Sequence, residues 1–352
     1  MGRGVLAPSP HTHPSIDGRA VAPLTERDGR GAATPHRKAS AVASTNTVVR
    51  PVSTKRSTPG WATTARRLTP YAFLSPTVIV MLVLMLIPVI MVIGYSFMDN
   101  VITNKFPVFV GIDNYVEVLS DPVFRTATGN TLFFTLVSVA AHLLLGLGFA
   151  MLLNSPLVGN VTKALFRVVY ILPWLFTVAI IAVLWRLMLN PNGVINYILI
   201  SLGLTDKGIE WLSSPDTALL AVTFINIWAG YSFYMVTLLA GLQGVPADLY
   251  EAARVDGASA FQRFWNVTLP QLKPIIISMS VLDIIWTSQQ FALIWMTTGG
   301  GPVNVTEMLS TYTYKLAFSR YEFSVASASA VLILLLTMVL AFFYVRHQKA
   351  RD

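Results

Sequence analysis

The chain has 352 residues, of which 54% are hydrophobic and only 12% charged, a balance too apolar for an ordinary soluble domain. It contains no cysteine, which excludes disulfides, thiolate metal sites and cysteine nucleophiles. The formal charge of +8 is local: residues 1–70 hold eleven Lys/Arg against three Asp/Glu, and the remainder holds fourteen of each. No basic nucleic-acid-binding domain is therefore expected.

Residues 1–62 are rich in Pro, Ser, Thr, Gly, Ala and Arg and lack apolar periodicity. Such a segment cannot bury enough surface to offset its ordering entropy, so it reads as a disordered basic cytoplasmic tail. It has no 7–15-residue apolar core of the kind a signal peptide carries. A second reading lets Arg37, Lys38, Lys55, Arg56, Arg66 and Arg67 touch anionic headgroups.

Residues 63–350 read as a transmembrane domain. Six apolar runs approach or exceed the roughly 20 residues that cross a bilayer as a helix: Tyr71–Met98, Asn130–Leu153, Val168–Met188, Ala218–Leu242, Ile275–Met296 and Val325–Val345. The runs are continuously apolar rather than alternating, which excludes a closed barrel. The expected fold is an all-α polytopic membrane protein with six transmembrane helices.

Polar residues inside these runs are few. His142 is the one histidine within a span, and a packed or helix-bridging role suits it better than a proton relay. The fourth run offers Asn226, Trp228, Tyr231, Ser232 and Tyr234, and the fifth offers Asp283, Trp286, Gln289 and Gln290. Asp283, Trp286 and Gln290 share one helix face by their i, i+3, i+7 spacing. An intramembrane carboxylate is expensive and faces protein or a wet cavity. Aromatic faces interleaved with amides suit the C–H surfaces and hydroxyls of a sugar, so these residues form a candidate substrate pathway. The same residues also fit interfacial belts and helix-to-helix hydrogen bonding.

Between the fourth and fifth runs lies a hydrophilic stretch, residues 246–270. Pro246 suits a first helical turn, and Leu249, Ala252, Ala253 and Asp256 form a mostly apolar stripe. Gly257 can end that helix in the left-handed conformation. Ser259 with Gln262 fits a capping box that restarts a helix through Phe264 and Trp265. A short bent helix pair with small residues suits docking into a groove of another protein, and an ordinary amphipathic loop has the same pattern.

Lys/Arg placement orients the chain. With the tail inside, the cytoplasmic segments hold nineteen Lys/Arg and the outer segments hold six, a clear positive-inside bias. Both termini and the 246–270 stretch then face the cytoplasm. The outer loops, 99–129, 189–217 and 297–324, are long enough to offer a partner surface. Gly299–Pro302 reads as an irregular turn, and no G-x-x-x-x-G-K-[ST] occurs anywhere, so the chain has no P-loop for ATP. It has no HExxH, nucleophile elbow or carboxylate pair either. Catalytic residues, metal ligands and a bound cofactor are not expected.

Glu251-Ala252-Ala253, Gly257, Val267 and Leu269-Pro270 resemble the EAA loop of binding-protein-dependent ABC importer permeases, which more often carry Ile where Val267 stands. Gly111-Ile-Asp-Asn-Tyr115, Arg167 with Leu172-Pro173-Trp174, Ala240-Gly241-Leu242-Gln243 and Thr298–Pro302 are similar to the carbohydrate branch, the MalF/UgpA-like permeases. The resemblance covers roughly residues 65–350. It implies a type I ABC importer permease fold in a bacterial or archaeal cell membrane. It also implies a second permease subunit, two ATPase subunits that bind ATP and Mg, and an extracytoplasmic sugar-binding protein. Glu251, Ala252, Ala253, Asp256, Gly257, Leu269 and Pro270 would then couple the permease to the ATPases. A glycerol-3-phosphate or polyol-derivative permease is an alternative. An ion-coupled secondary transporter, which Asp283 would serve, is a further one from a different class.

Overall fold

A computed structural model describes residues 60–99 and 101–349; all but the last three residues of the expected tail lie outside them. Among the described residues the regular secondary structure is helical, apart from one two-residue antiparallel pairing of β1 (Met98–Asp99) with β2 (Val108–Phe109). Tyr71–Tyr95, Pro122–Asn154, Ala218–Gln243, Ala260–Ser288 and Phe323–Phe342 are each long and apolar enough to cross a bilayer, and a bent helix pair makes a sixth. Six spans, as expected from the sequence, hold in that form.

The first span runs through α1 (Gly60–Met81), one π turn (Leu82–Leu86) and α2 (Ile87–Tyr95). Pro88 cannot donate a backbone bond, and its ring would strike the carbonyl four residues earlier; the widened turn before it relieves that clash. Every side chain from Tyr71 to Met91 is exposed, a surface that only lipid or another subunit can cover.

After the β1–β2 ribbon comes α3 (Asp113–Ser120), then α4 (Pro122–Asn154), which begins eight residues before the expected start of the second span. Pro122 stands in the first turn, and the Asp121 side chain accepts from the Val123 amide at 2.7 Å, so start signal and cap agree. The third span departs further from expectation. Instead of one helix over Val168–Met188, α5 (Asn160–Leu175) and α6 (Val178–Met188) meet at a bend of 101°. Phe176 and Thr177 are extended there, and the Thr177 hydroxyl accepts from the Ile180 amide to start α6 afresh.

In the following loop, α7 (Val194–Ser201) presents a fully buried Asn196. Its amide bonds the Asn190 and Ile209 carbonyls, the Ile209 amide and the Trp211 indole. The fourth span is α8 (Ala218–Gln243). It crosses α4 in parallel at two glycines. A Cβ on Gly230 would enter the His142 ring, and one on Gly146 would strike Tyr234 and the Met235 amide. Small residues let two backbones approach this closely.

Then follow α9 (Ala247–Val255), α10 (Ala260–Arg263), a second π turn (Phe264–Thr268) and α11 (Leu269–Ser288). The fifth span ends eight residues short of the expected Met296, because Gln289–Phe291 interrupt it before α12 (Ala292–Thr297). The chain closes with α13 (Leu309–Phe318) and α14 (Phe323–Lys349). Tyr312 on α13 donates to Asp121 at 2.8 Å; burial, with that carboxylate beside it, pushes the phenol above its ordinary value. One apolar cluster joins α4, α8 and α11 through Ala150, Leu153, Leu238, Leu242, Leu272 and Met279.

Candidate functional site

The 246–270 stretch folds as two helices with a tight turn between them. Pro246 is not inside the first turn, as expected, but extended at the residue before α9. Gly257 has φ +79° with no atom within 4 Å of a would-be Cβ. The backbone conformation, not crowding, therefore demands glycine there. The Ala258 amide reaches back to the Ala253 carbonyl at 2.9 Å and the Gly257 amide to Arg254 at 3.0 Å, closing the helix end. Ser259 and Gln262 form the expected capping box.

The inner face of α9 differs from the predicted stripe. Tyr250 and Ala253 are half-buried, whereas Leu249, Glu251, Ala252, Asp256 and Gly257 are exposed. The reason is what lies beneath: the Tyr250 hydroxyl meets the buried Thr268 hydroxyl at 3.0 Å, which aims the 250–253 side of α9 at the π turn. That turn stands directly before Pro270, as the first stands before Pro88, and the same steric cause accounts for both. Leu269 is half-buried and Pro270 exposed. The Leu-Pro pair therefore sets the bulge on which α9 rests. A cleft of about 430 Å³ opens beside it, lined by Met151, Asn154, Tyr250, Glu251, Arg254 and Arg263. Val255, Phe261 and Trp265 are exposed at the same turn, an apolar patch on a hydrophilic hairpin that suits a protein partner.

The candidate pathway residues separate into three groups. Asn226, Tyr234 and Asp283 are buried and meet at His142. His142 Nδ1 lies 2.9 Å from Asp283 Oδ2, and Nε2 lies 3.0 Å from the Asn226 carbonyl oxygen. The second Asp283 oxygen accepts from Thr287 at 2.9 Å, and Tyr234 lies with its ring 6.0 Å from the His142 ring. One histidine thus ties α4, α8 and α11, the bridging role its sequence position suggested. Trp228 and Tyr231 pack inward instead, edge-on to Trp185 at 5.4 Å and tilted against Phe149 at 5.2 Å.

Trp286 is exposed, Gln290 half-buried and Gln289 exposed. Asp283, Trp286 and Gln290 do not form one face, because the helix ends at Ser288, before Gln290. Trp286 instead belongs to a row of rings that sequence spacing did not reveal: Phe233 is 5.8 Å from Trp286 and 6.4 Å from Trp174, and both tryptophans are more than half exposed. Among the described residues no group of His, Asp and Glu is arranged to hold a metal ion.

Residues 142–351 match the family described as the binding-protein-dependent transport system inner membrane component. The trehalose/maltose transport system permease protein MalF of Thermococcus litoralis is 36% identical, over 78% of this chain and 92% of that protein. The sulfoquinovosyl glycerol transport system permease protein SmoG of Agrobacterium fabrum is 34% identical over 83% and 94%, and the lactose transport system permease protein LacF of Rhizobium radiobacter is 31% identical over 79% and 94%. Among solved structures, a bacterial ABC transporter involved in the import of the acidic polysaccharide alginate superposes with a TM-score of 0.71 at 25% identity, covering 83% of this chain and 98% of its own.

Proposed function

This chain belongs to the binding-protein-dependent transport system inner membrane component family, and we propose from that premise that it is the transmembrane permease subunit of an ABC importer for a sugar. The observation that carries the reading is the α9–Gly257–α10 turn. It is a capped hairpin that leaves Glu251 and Ala252 exposed and carries the exposed apolar side chains of Val255, Phe261 and Trp265. In this reading the turn faces the cytoplasm with both termini, in the cell membrane of a bacterium or archaeon. It docks on one of two ATPase subunits, which bind ATP and Mg, while this chain holds no cofactor. A second, homologous permease completes the pathway, and an extracytoplasmic binding protein delivers the solute.

Sugar as the solute follows from the trehalose/maltose, sulfoquinovosyl glycerol and lactose permeases among the relatives. The exposed Trp174–Phe233–Trp286 row supports it, since flat rings suit pyranose C–H faces. Residues 226, 234 and 283 support the pathway by fixing its wall. An ion-coupled mechanism is disfavoured by the state of Asp283, whose two oxygens are engaged by His142 and Thr287. Both oxygens would have to give up these partners before the carboxylate could coordinate a sodium ion.

Uptake of labelled sugar by cells carrying Glu251→Lys tests the proposal. Abolished uptake with unchanged membrane levels of the protein supports it, and normal uptake contradicts it.

A further inference from the structure

One end of the bundle, opposite α9, carries an apolar face that no other described residue covers. On α3 and its preceding residue, Ile112, Val116 and Leu119 are exposed by 65%, 55% and 53%. Their i, i+4, i+7 spacing puts them on one side of the helix. Asn114 and Val118 occupy a second side and are buried. Asp113 and Glu117 occupy the third and are exposed. The helix is therefore divided three ways, into one arc for the protein, one charged arc for water and one apolar arc without a partner among the described residues.

The position of α3 along the bundle identifies the missing partner. The first span, Tyr71–Tyr95, has 25 residues, about 37 Å at 1.5 Å per residue, against a hydrocarbon core of about 30 Å. Its last turn thus sits at the edge of the hydrocarbon. Asn114 Nδ2 donates to the carbonyls of Ser96 and Met98, each at 2.9 Å, and the Tyr115 and Ser96 hydroxyls meet at 2.6 Å. Val118 packs with Val325 and Ala326 in the first turns of α14, where the last span also starts. These contacts hold α3 at the level where two spans leave the apolar layer. The β1–β2 ribbon hangs from the same place, with Phe106 and Phe109 exposed by 76% and 71%. The side chains of the first span are themselves exposed from Tyr71 to Met91.

We propose that α3 lies in the interfacial zone of the bilayer, with Ile112, Val116 and Leu119 set among the ends of the acyl chains and Asp113 and Glu117 in water. Between residues 106 and 124 there is no Lys or Arg. Apolar burial rather than attraction to anionic headgroups therefore holds the helix there. The occupant is lipid, not a soluble protein, and the helix fixes the height and rotation of the first span at its junction with α4.

The absence of cysteine makes the test direct. Val116→Cys, Leu119→Cys, Asp113→Cys and Glu117→Cys are each labelled with a nitroxide in the full transporter, assembled with its partner subunits in lipid nanodiscs. Spin relaxation by oxygen reports lipid, and relaxation by a water-soluble nickel chelate reports water. The oxygen-to-nickel ratio is expected to be severalfold higher at 116 and 119 than at 113 and 117. Leu119→Cys answers the question where Val116→Cys disturbs assembly. Equal nickel access at 116 and 117 would overturn the proposal by showing a wetted face. Shielding of the 116 label from both reagents, before or after adding the binding protein, would overturn it by showing a protein partner.

Discussion

Replacing Gly257 separates two reasons a glycine can be required. A Cβ there meets open space, so volume costs nothing, but φ is +79°. An ordinary L-residue pays about 1–2 kcal/mol in that conformation, whereas Asn adopts it more readily than other side-chain-bearing residues. We predict that Gly257→Ala lowers the population of the docking-competent turn by about 5–30-fold, that Gly257→Asn loses far less, and that Gly257→Pro removes the turn altogether. Proline holds φ near −65°, far from the native value. The assay is initial-rate sugar uptake normalised to membrane-inserted protein, beside the ATPase activity of the assembled transporter. The expected order is wild type, Asn, Ala, Pro. Uptake by the Ala variant equal to wild type, with the Asn variant impaired, would refute the reasoning, because size and not backbone conformation would then be limiting.

Three further outcomes follow from buried contacts. His142→Ala leaves Asp283 buried without its main partner, and breaking a buried pair costs about 3–5 kcal/mol; we predict a larger fall in detergent Tm than for Asp283→Asn, and equal falls would contradict the pairing. Lys315→Ala strands the fully buried Glu307 carboxylate that the ammonium contacts, and is expected to destabilise the 298–308 loop by a similar amount. Faster proteolysis of that loop is the readout, and unchanged protection counts against it. Gly230→Ala drives a methyl into the His142 ring, an overpacking worth about 1–3 kcal/mol. A double-variant loss with His142→Ala smaller than the sum of the two single losses would support the close α4–α8 crossing, and additive losses would argue against it.

What could be read from the sequence was what short range decides. The six apolar runs follow from composition, and the bent hairpin at 246–270 follows from a glycine, a capping pair and a Leu-Pro step within a few residues of one another. What could not be read depends on distant segments. His142 meets Asp283 across 141 residues, and no local pattern announces that pairing. Trp174, Phe233 and Trp286 sit on three different helices, so no spacing within one helix shows their rings as a row. The inner face of α9 was misassigned because Tyr250 turns toward Thr268, a contact created by the π turn and absent from any helical wheel. The end of α11 at Ser288 likewise detaches Gln290 from the face that periodicity gave it.

The central claim is that this chain carries sugar only when an ATPase acts on the α9–Gly257–α10 turn. The most direct measurement is uptake of labelled sugar into proteoliposomes holding this permease, its partner permease, the ATPase subunits and the binding protein, with ATP sealed inside. The account predicts accumulation that requires internal ATP and disappears with Glu251→Lys. Accumulation without ATP, driven by a proton or sodium gradient and indifferent to Glu251→Lys, would contradict it.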